Sequence, residues 1–188
     1  CILIQHMIES KYKIIDNALP PDVFREVSNY IMSAGFPWYF QDSIANAPED
    51  EILDSKQKPW NFYMSHRSYG NETPASYGNE MIFESPNIWN IFQPILKLLK
   101  VKSLIRVKCN MYLRTPEIIH SPSHIDFNYE HKGALFSINT NNGATVLEDG
   151  TEIKSVANRL LLFDASKPHH STTTSNANRR VNVNLNYF

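Results

Sequence analysis

Hydrophobic and polar positions along the chain fall into two regimes that meet near residue 100. In the first, Tyr12, Ile14 and Ile15 suggest a short strand, and Pro20-Pro21 marks the start of a helix. Within that helix Val23, Phe24, Val27, Tyr30 and Ile31 recur at helical spacing, and Gly35 is its natural stop. Between residues 37 and 79 the periodicity fails. Trp38, Tyr39, Phe40, Trp60, Phe62 and Tyr63 are interleaved with Asp, Asn, Pro and Ser, which predicts long loops with short strands. A second helix is predicted over residues 86–99, with Ser85 as its N-cap and Ile88, Trp89, Ile91, Phe92, Ile95 and Leu99 on its apolar face. Pro94 lies inside that run and should kink or split it.

After Lys100 the period drops to two. Ile105, Val107, Cys109, Met111 and Leu113 alternate with Arg106, Lys108, Asn110, Tyr112 and Arg114, the signature of a strand with one apolar and one polar face. Further short strands are predicted over residues 134–140, 144–147, 159–163 and 180–188, separated by Gly, Asn, Asp and Pro turn signals. Strands this short and this closely spaced point to a sandwich or jelly roll rather than a parallel α/β sheet. In the last of them Arg180, Asn182, Asn184 and Asn186 alternate with Val181, Val183, Leu185 and Tyr187. Asn is a poor strand former, so three in alternate positions suit a ligand-facing surface better than a solvated one. The fold class expected is therefore mainly β with flanking helices. The apolar strand faces should rest on the N-terminal helices, and the polar faces should line the mouth of a barrel.

Composition narrows the function classes. Eighteen Lys+Arg against nineteen Asp+Glu leave a formal net charge of -1, which argues against a protein that coats nucleic acid or an anionic membrane. The Arg106, Lys108, Arg114 series is accordingly read as a strand's polar face and not as a nucleic-acid stripe. Two cysteines, Cys1 and Cys109, make no disulfide framework. Apolar runs stop well short of the about 20 residues that a membrane span needs, and no charged segment followed by an apolar one opens the sequence. A soluble, cytoplasmic protein is expected. Its 188 residues suit a single domain, 1–188, with a helical, loop-rich part to about residue 100 and a β core over about 101–188.

The sharpest chemical signal is His124-Ile125-Asp126, followed downstream by Lys167-Pro168-His169-His170. A His and an Asp two apart on extended chain project to one side and can grip one ion while a third ligand arrives from a distant strand. Two imidazoles and one carboxylate on one face of an octahedron leave positions open, the arrangement of non-haem Fe(II) oxygenases. His169 and His170 point to opposite sides of an extended segment, so one of them faces the metal. Arg180 opens the final strand on its polar face, where a guanidinium could anchor the far carboxylate of a metal-bound organic acid. Arg179 competes for that role, and strand phase favours Arg180. Tyr112, on the polar face of its own strand, is a candidate ligand-binding hydroxyl. Asn182 could assist Arg180, and Ser137 and Asn139 could line the pocket. His120 is a rival first ligand, but Pro116 and Pro122 argue against the helix that would bring it beside His124. His66 and His131 are expected at the surface or in a substrate loop. Trp38, Trp60, Phe62 and Tyr63 could cover the open end or form a satellite core.

Residues 105–188 resemble the 2-oxoglutarate- and Fe(II)-dependent dioxygenases, in particular their prolyl-hydroxylase-like branch. The resemblance runs through Asn110-Met111-Tyr112, His124-Ile125-Asp126, Asn142-Gly143-Ala144-Thr145, the Arg159 to Phe163 strand, Pro168-His169 and the segment from Arg180 to Phe188. The family often carries two glycines where this chain has Gly143-Ala144, and the doubled His169-His170 is a further departure. The resemblance implies a double-stranded β-helix (jelly-roll) core with Fe(II) held at its open end by His124, Asp126 and the distal His, which the Pro-His phrasing identifies as His169. It also implies 2-oxoglutarate as cosubstrate, held by Arg180 and the hydroxyl of Tyr112, with dioxygen as oxidant and a hydroxylated product. A non-catalytic jelly-roll or cupin-like metal- or ligand-binding domain is the competing class. A peptidyl proline, another protein side chain, a free amino acid, a small metabolite or a nucleobase would each suit the scaffold, and neither substrate nor oligomeric state is legible here.

Overall fold

The computed structural model describes residues 11–44, 58–70 and 86–188. In chain order the elements are β1 (Tyr12–Ile15), α1 (Pro21–Met32), β2 (Tyr39–Gln41), a 3-10 turn (Lys58–Trp60), β3 (Tyr63–Gly70), α2 (Pro86–Leu99), β4 (Leu104–Leu113), β5 (Lys132–Ser137), β6 (Ala144–Leu147), β7 (Glu152–Lys154), β8 (Arg159–Asp164), β9 (His169–Ser171) and β10 (Arg179–Tyr187). They form an antiparallel seven-stranded sheet, ordered β1-β8-β5-β10-β4-β3-β2, and a three-stranded sheet, β7-β6-β9. The segment before β5 extends the small sheet through bridges of His120 to Thr172 and of His124 to His169. Two facing sheets, with the chain passing repeatedly between them, make the jelly roll.

Alternation along β4 and β10 decides what lies on each side of the large sheet. Val107, Cys109, Met111, Val181, Val183 and Leu185 form one core with Val27 and Ile31 of α1 and Phe92 and Ile95 of α2. Burying each such side chain contributes roughly 1.5–3 kcal/mol. The other face pairs Arg180 with Tyr112, Asn182 with Asn110, Asn184 with Lys108 and Asn186 with Arg106 across the same ladder. Arg106, Lys108, Asn110 and Tyr112 of β4 and Arg180, Asn182, Asn184 and Asn186 of β10 are buried, so this row lines the interior between the sheets. Leu135, Ile153, Leu161, Phe163 and Ala165 form a smaller apolar cluster.

Several elements differ from the sequence expectation. β3 is an eight-residue strand at the side of β4, within the stretch expected to be mostly loop. Seven of its eight residues are buried or partly buried, so no in–out alternation marks it. α2 runs unbroken past Pro94, so the proline does not split it. A proline there removes a single ladder bond, to the Asn90 carbonyl, while Phe92 and Ile95 stay packed in the core on either side of it. The Ser85 cap lies outside the described residues. β5 ends at Ser137 rather than Thr140, because the Asn139 side chain takes over the ladder there, accepting from Val181 N at 2.9 Å and donating to Arg179 O at 2.8 Å. β7 and β9, of three residues each, are too short to show a period. No helix among the described residues is long and apolar enough to cross a membrane.

Candidate metal centre

His124 and His169 sit opposite each other on adjacent antiparallel segments. Each donates its backbone N–H to the other's carbonyl at 2.9 Å, so the two imidazoles emerge on the same face. Their ring centroids are 4.8 Å apart. Asp126, two residues beyond His124, is tied by its backbone N–H to Ala165 O at 3.1 Å and turns its carboxylate to the same point. His124 Nε2 lies 4.0 Å from Asp126 Oδ1, and His169 Nε2 lies 3.9 Å from Oδ2. One ligand atom from each of the three residues falls within 4.8 Å of the other two. His169 Nδ1 donates to Lys167 O at 2.9 Å, which leaves its Nε2 as the acceptor facing the cluster. His170 turns outward and meets His120 at 3.0 Å, so neither belongs to the cluster.

The Asp126 carboxylate is almost wholly enclosed. Oδ1 accepts from Arg106 Nη2 at 2.6 Å, and Oδ2 accepts from Asn186 Nδ2 at 2.8 Å and Asn184 Nδ2 at 3.2 Å. Arg106 Nε also donates to Asn186 Oδ1 at 3.0 Å, and the guanidinium lies over Phe127. Burial pushes the Asp126 carboxyl up, but Arg106, the two imidazoles and the Asn186 hydrogen bond outweigh it and hold the group well below the usual carboxylate range. His124 is pushed down to about 4, by burial first and then by neighbouring His169, against the pull of Asp126. An ionised carboxylate and a neutral imidazole are the protonation states a divalent ion requires.

A cavity of about 240 Å³ opens beside the cluster, lined by Tyr63, Arg106, Lys108, Tyr112, Thr145 and Ser171 among others. Behind Tyr112 and Thr145 lies Arg180, completely buried. Its Nε donates to Ser155 Oγ at 2.7 Å, Nη1 to Thr172 O at 3.2 Å and Nη2 to Thr145 Oγ1 at 2.9 Å, and its guanidinium carbon sits 5.3 Å from the centre of the Tyr112 ring. Among the described residues no carboxylate pairs with it. Burial pushes its pKa down to about 10, so it stays a cation at neutral pH. The Tyr112 hydroxyl donates to Ser171 Oγ at 3.1 Å, and burial pushes that phenol up. Asn182 accepts from Asn110 at 3.1 Å while its own Nδ2, also buried, has no acceptor among the described residues. A buried guanidinium without a counter-ion and an amide donor without an acceptor on the same strand fit an anionic ligand. Gly143 is needed for this packing, because a Cβ there would lie 2.6 Å from Thr173 O and 2.7 Å from Arg180 Cδ.

Other candidates take structural places. Arg179 points to the opposite face and donates to Met32 O at the end of α1 at 2.8 Å. Asn139 is used by the backbone of β10, and Ser137 is buried opposite Asn182. His66 and His131, expected at the surface or in a substrate loop, are buried, with Nδ1 donating to Pro37 O at 2.9 Å and to Tyr129 O at 2.8 Å. Trp38 packs on the helix-facing core, Trp60 and Phe62 pack together, and Tyr63 alone of that set lines the cavity, stacked on Tyr112. The sequence places Arg106, Asn184 and Asn186 on the polar strand faces at the barrel mouth but does not tie them to Asp126. The available signal was the phase of β4 and β10, which sets them on the same face as Tyr112 and Arg180.

No family model matches the sequence, and no curated protein matches it. Solved structures do match its fold. A 2OG-Fe(II) oxygenase family oxidoreductase from Burkholderia pseudomallei aligns over 95% of this chain and 86% of its own, with a TM-score of 0.61 and 13% identity. A Trichoplax adhaerens prolyl hydroxylase, in complex with a hypoxia inducible factor oxygen degradation domain peptide fragment, aligns over 96% and 84% with a TM-score of 0.59 and 14% identity. The viral collagen prolyl hydroxylase of Paramecium Bursaria Chlorella virus-1, in its 2OG complex, aligns over 95% and 96% with a TM-score of 0.55 and 11% identity. At these identities the likeness establishes the fold, the jelly roll of the 2OG-Fe(II) oxygenases.

Proposed function

We propose that this chain is an Fe(II)- and 2-oxoglutarate-dependent oxygenase of the hydroxylase type. The observation that carries the reading is the convergence of His124, Asp126 and His169 at the mouth of a jelly roll whose interior also holds the buried cation Arg180. Two imidazoles and a carboxylate with room beside them are the donor set of non-haem iron oxygenases. When bound, the iron would supply the redox chemistry that couples decarboxylation of 2-oxoglutarate by dioxygen to oxidation of a substrate C–H bond.

The protein's own residues then have separate tasks. His124 and His169 present neutral imidazole nitrogens, and Asp126 supplies the charge that draws a cation into a site that already contains Arg106. Arg180, with Tyr112 and the Asn182 amide beside it, receives the distal carboxylate of 2-oxoglutarate and so orients the opposite end toward the triad. To reach Arg180 that carboxylate replaces the Thr145 or Tyr112–Ser171 contacts that now cover it. Tyr63, Ile125 and the rest of the cavity wall shield the reacting centre from bulk water. The fold likeness to a prolyl hydroxylase carrying a peptide supports a peptidyl substrate entering at this mouth, and a small molecule is the other class the cavity admits.

The test is succinate release from 2-oxoglutarate by the purified protein given Fe(II), dioxygen and a panel of peptides and metabolites. Release that needs all three reagents and disappears in His124→Ala and Asp126→Ala is expected. Release that survives both substitutions would remove the assignment.

A further inference from the structure

A carboxylate offers about four lone-pair positions to hydrogen-bond donors or a metal. On Asp126 both positions of Oδ2 are taken, by Asn186 and Asn184, and one position of Oδ1 is taken by Arg106. Among the described residues a single position, on Oδ1, is left. Arg106 further grips Asn186 through Nε, which closes a ring of three side chains, Arg106, Asp126 and Asn186, with donor–acceptor distances of 2.6, 2.8 and 3.0 Å. All three are buried, Arg106 and Asp126 retaining 9% and 4% of their side-chain exposure, and Phe127 backs the guanidinium at 5.0 Å. Rotation of the carboxylate would break several buried charge-assisted bonds at once.

We infer that Arg106 and Asn186 are positioning residues that restrict Asp126 to one-point attachment of the metal, so that the open coordination positions are kept for cosubstrate and oxidant. The inference rests on the metal-site reading above and concerns how the ligand is held. A carboxylate that can turn, or that recovers a position on Oδ2, can bind through both oxygens and occupy a place that 2-oxoglutarate needs for chelation. The guanidinium also puts a positive charge beside the ion, so the arrangement sacrifices metal affinity for an open site. A purely structural pair would behave in the opposite way, losing metal affinity when damaged because the ligand becomes disordered.

The experiment compares wild type with Asn186→Ala and Arg106→Met, using Mn(II) as the probe ion. Three quantities are read: Mn(II) affinity, the number of exchangeable waters on the bound ion by water relaxation, and 2-oxoglutarate affinity of the Mn(II)-loaded protein by titration. Both variants are expected to bind Mn(II) at least as tightly as wild type, to carry one fewer exchangeable water, and to bind 2-oxoglutarate at least roughly tenfold more weakly. Arg106→Lys, which keeps the charge on Oδ1, should recover part of the 2-oxoglutarate affinity. Should either folded variant bind Mn(II) more weakly with the water count unchanged, the positioning role is wrong while the metal site stands. Absence of Mn(II) binding in wild type would overturn the site and this role together.

Discussion

At the scale of single residues, His124 makes the most exact claim. Its imidazole is pushed down from 6.5 to about 4, first by burial and then by His169. Between those pH values the unfolded chain carries a proton on this ring that the folded chain does not. Stability therefore falls as pH drops through that window. Chemical denaturation of the metal-free protein across pH 6.5 to 4 should show a steeper loss in wild type than in His124→Ala, and equal slopes would refute the assignment of the effect to this ring. The neighbouring pair His169 and His170 gives a second contrast. His169→Ala should abolish Mn(II) binding, whereas His170→Ala, which removes only the outward contact with His120, should leave it nearly intact. The reverse pattern would mean that the strand phase is misread. The residues gathered at the site could be named from the sequence because His-x-Asp and the Pro168-His169-His170 segment are local patterns. The grip of Arg106 on Asp126 could not, since alternation puts a side chain on a face but does not say which distant carboxylate it will meet.

Elements carry these residues, and their phase matters more than their length. β10 sends Arg180 inward and Arg179 to the end of α1, a choice set by a period of two. That alternation was legible, as were α1, β6 and both edges of β4 to within a residue or two. β3 was not, because a strand covered on both faces shows no contrast between its sides. β9, which supplies His169, is visible only through its pairing with β6 and with His124. The turn into β6 gives a prediction of its own. Gly143→Ala places a methyl against the Thr173 carbonyl, which cannot yield as a side chain would, and against Arg180 Cδ. Overpacking of this kind costs about 1–3 kcal/mol. The variant should melt earlier and bind 2-oxoglutarate more weakly, with Mn(II) affinity largely retained. A variant as stable as wild type would show that the backbone there is not confined.

Taken as a whole, the molecule separates two tasks across one sheet. The helix-facing side of β4 and β10 is an apolar core that holds the sheet in place, and the opposite side is a buried polar row whose side chains hydrogen-bond to one another, to Asp126 and to the small sheet. That division was readable from alternating Val and Asn in β10. The closure of the small sheet over it was not, since it depends on three-residue strands and isolated bridges between distant segments. The proposal that follows from this arrangement is that the polar row ends in a metal triad and a cosubstrate anchor. It is tested most directly by titrating 2-oxoglutarate into metal-loaded wild type, Arg180→Ala and Arg179→Ala. Wild type should bind only when metal is present, Arg180→Ala should bind at least about tenfold more weakly, a loss of about 1.4 kcal/mol, with metal affinity retained, and Arg179→Ala should resemble wild type. No binding to the wild type at millimolar concentration, or binding indifferent to both metal and Arg180, would contradict the account.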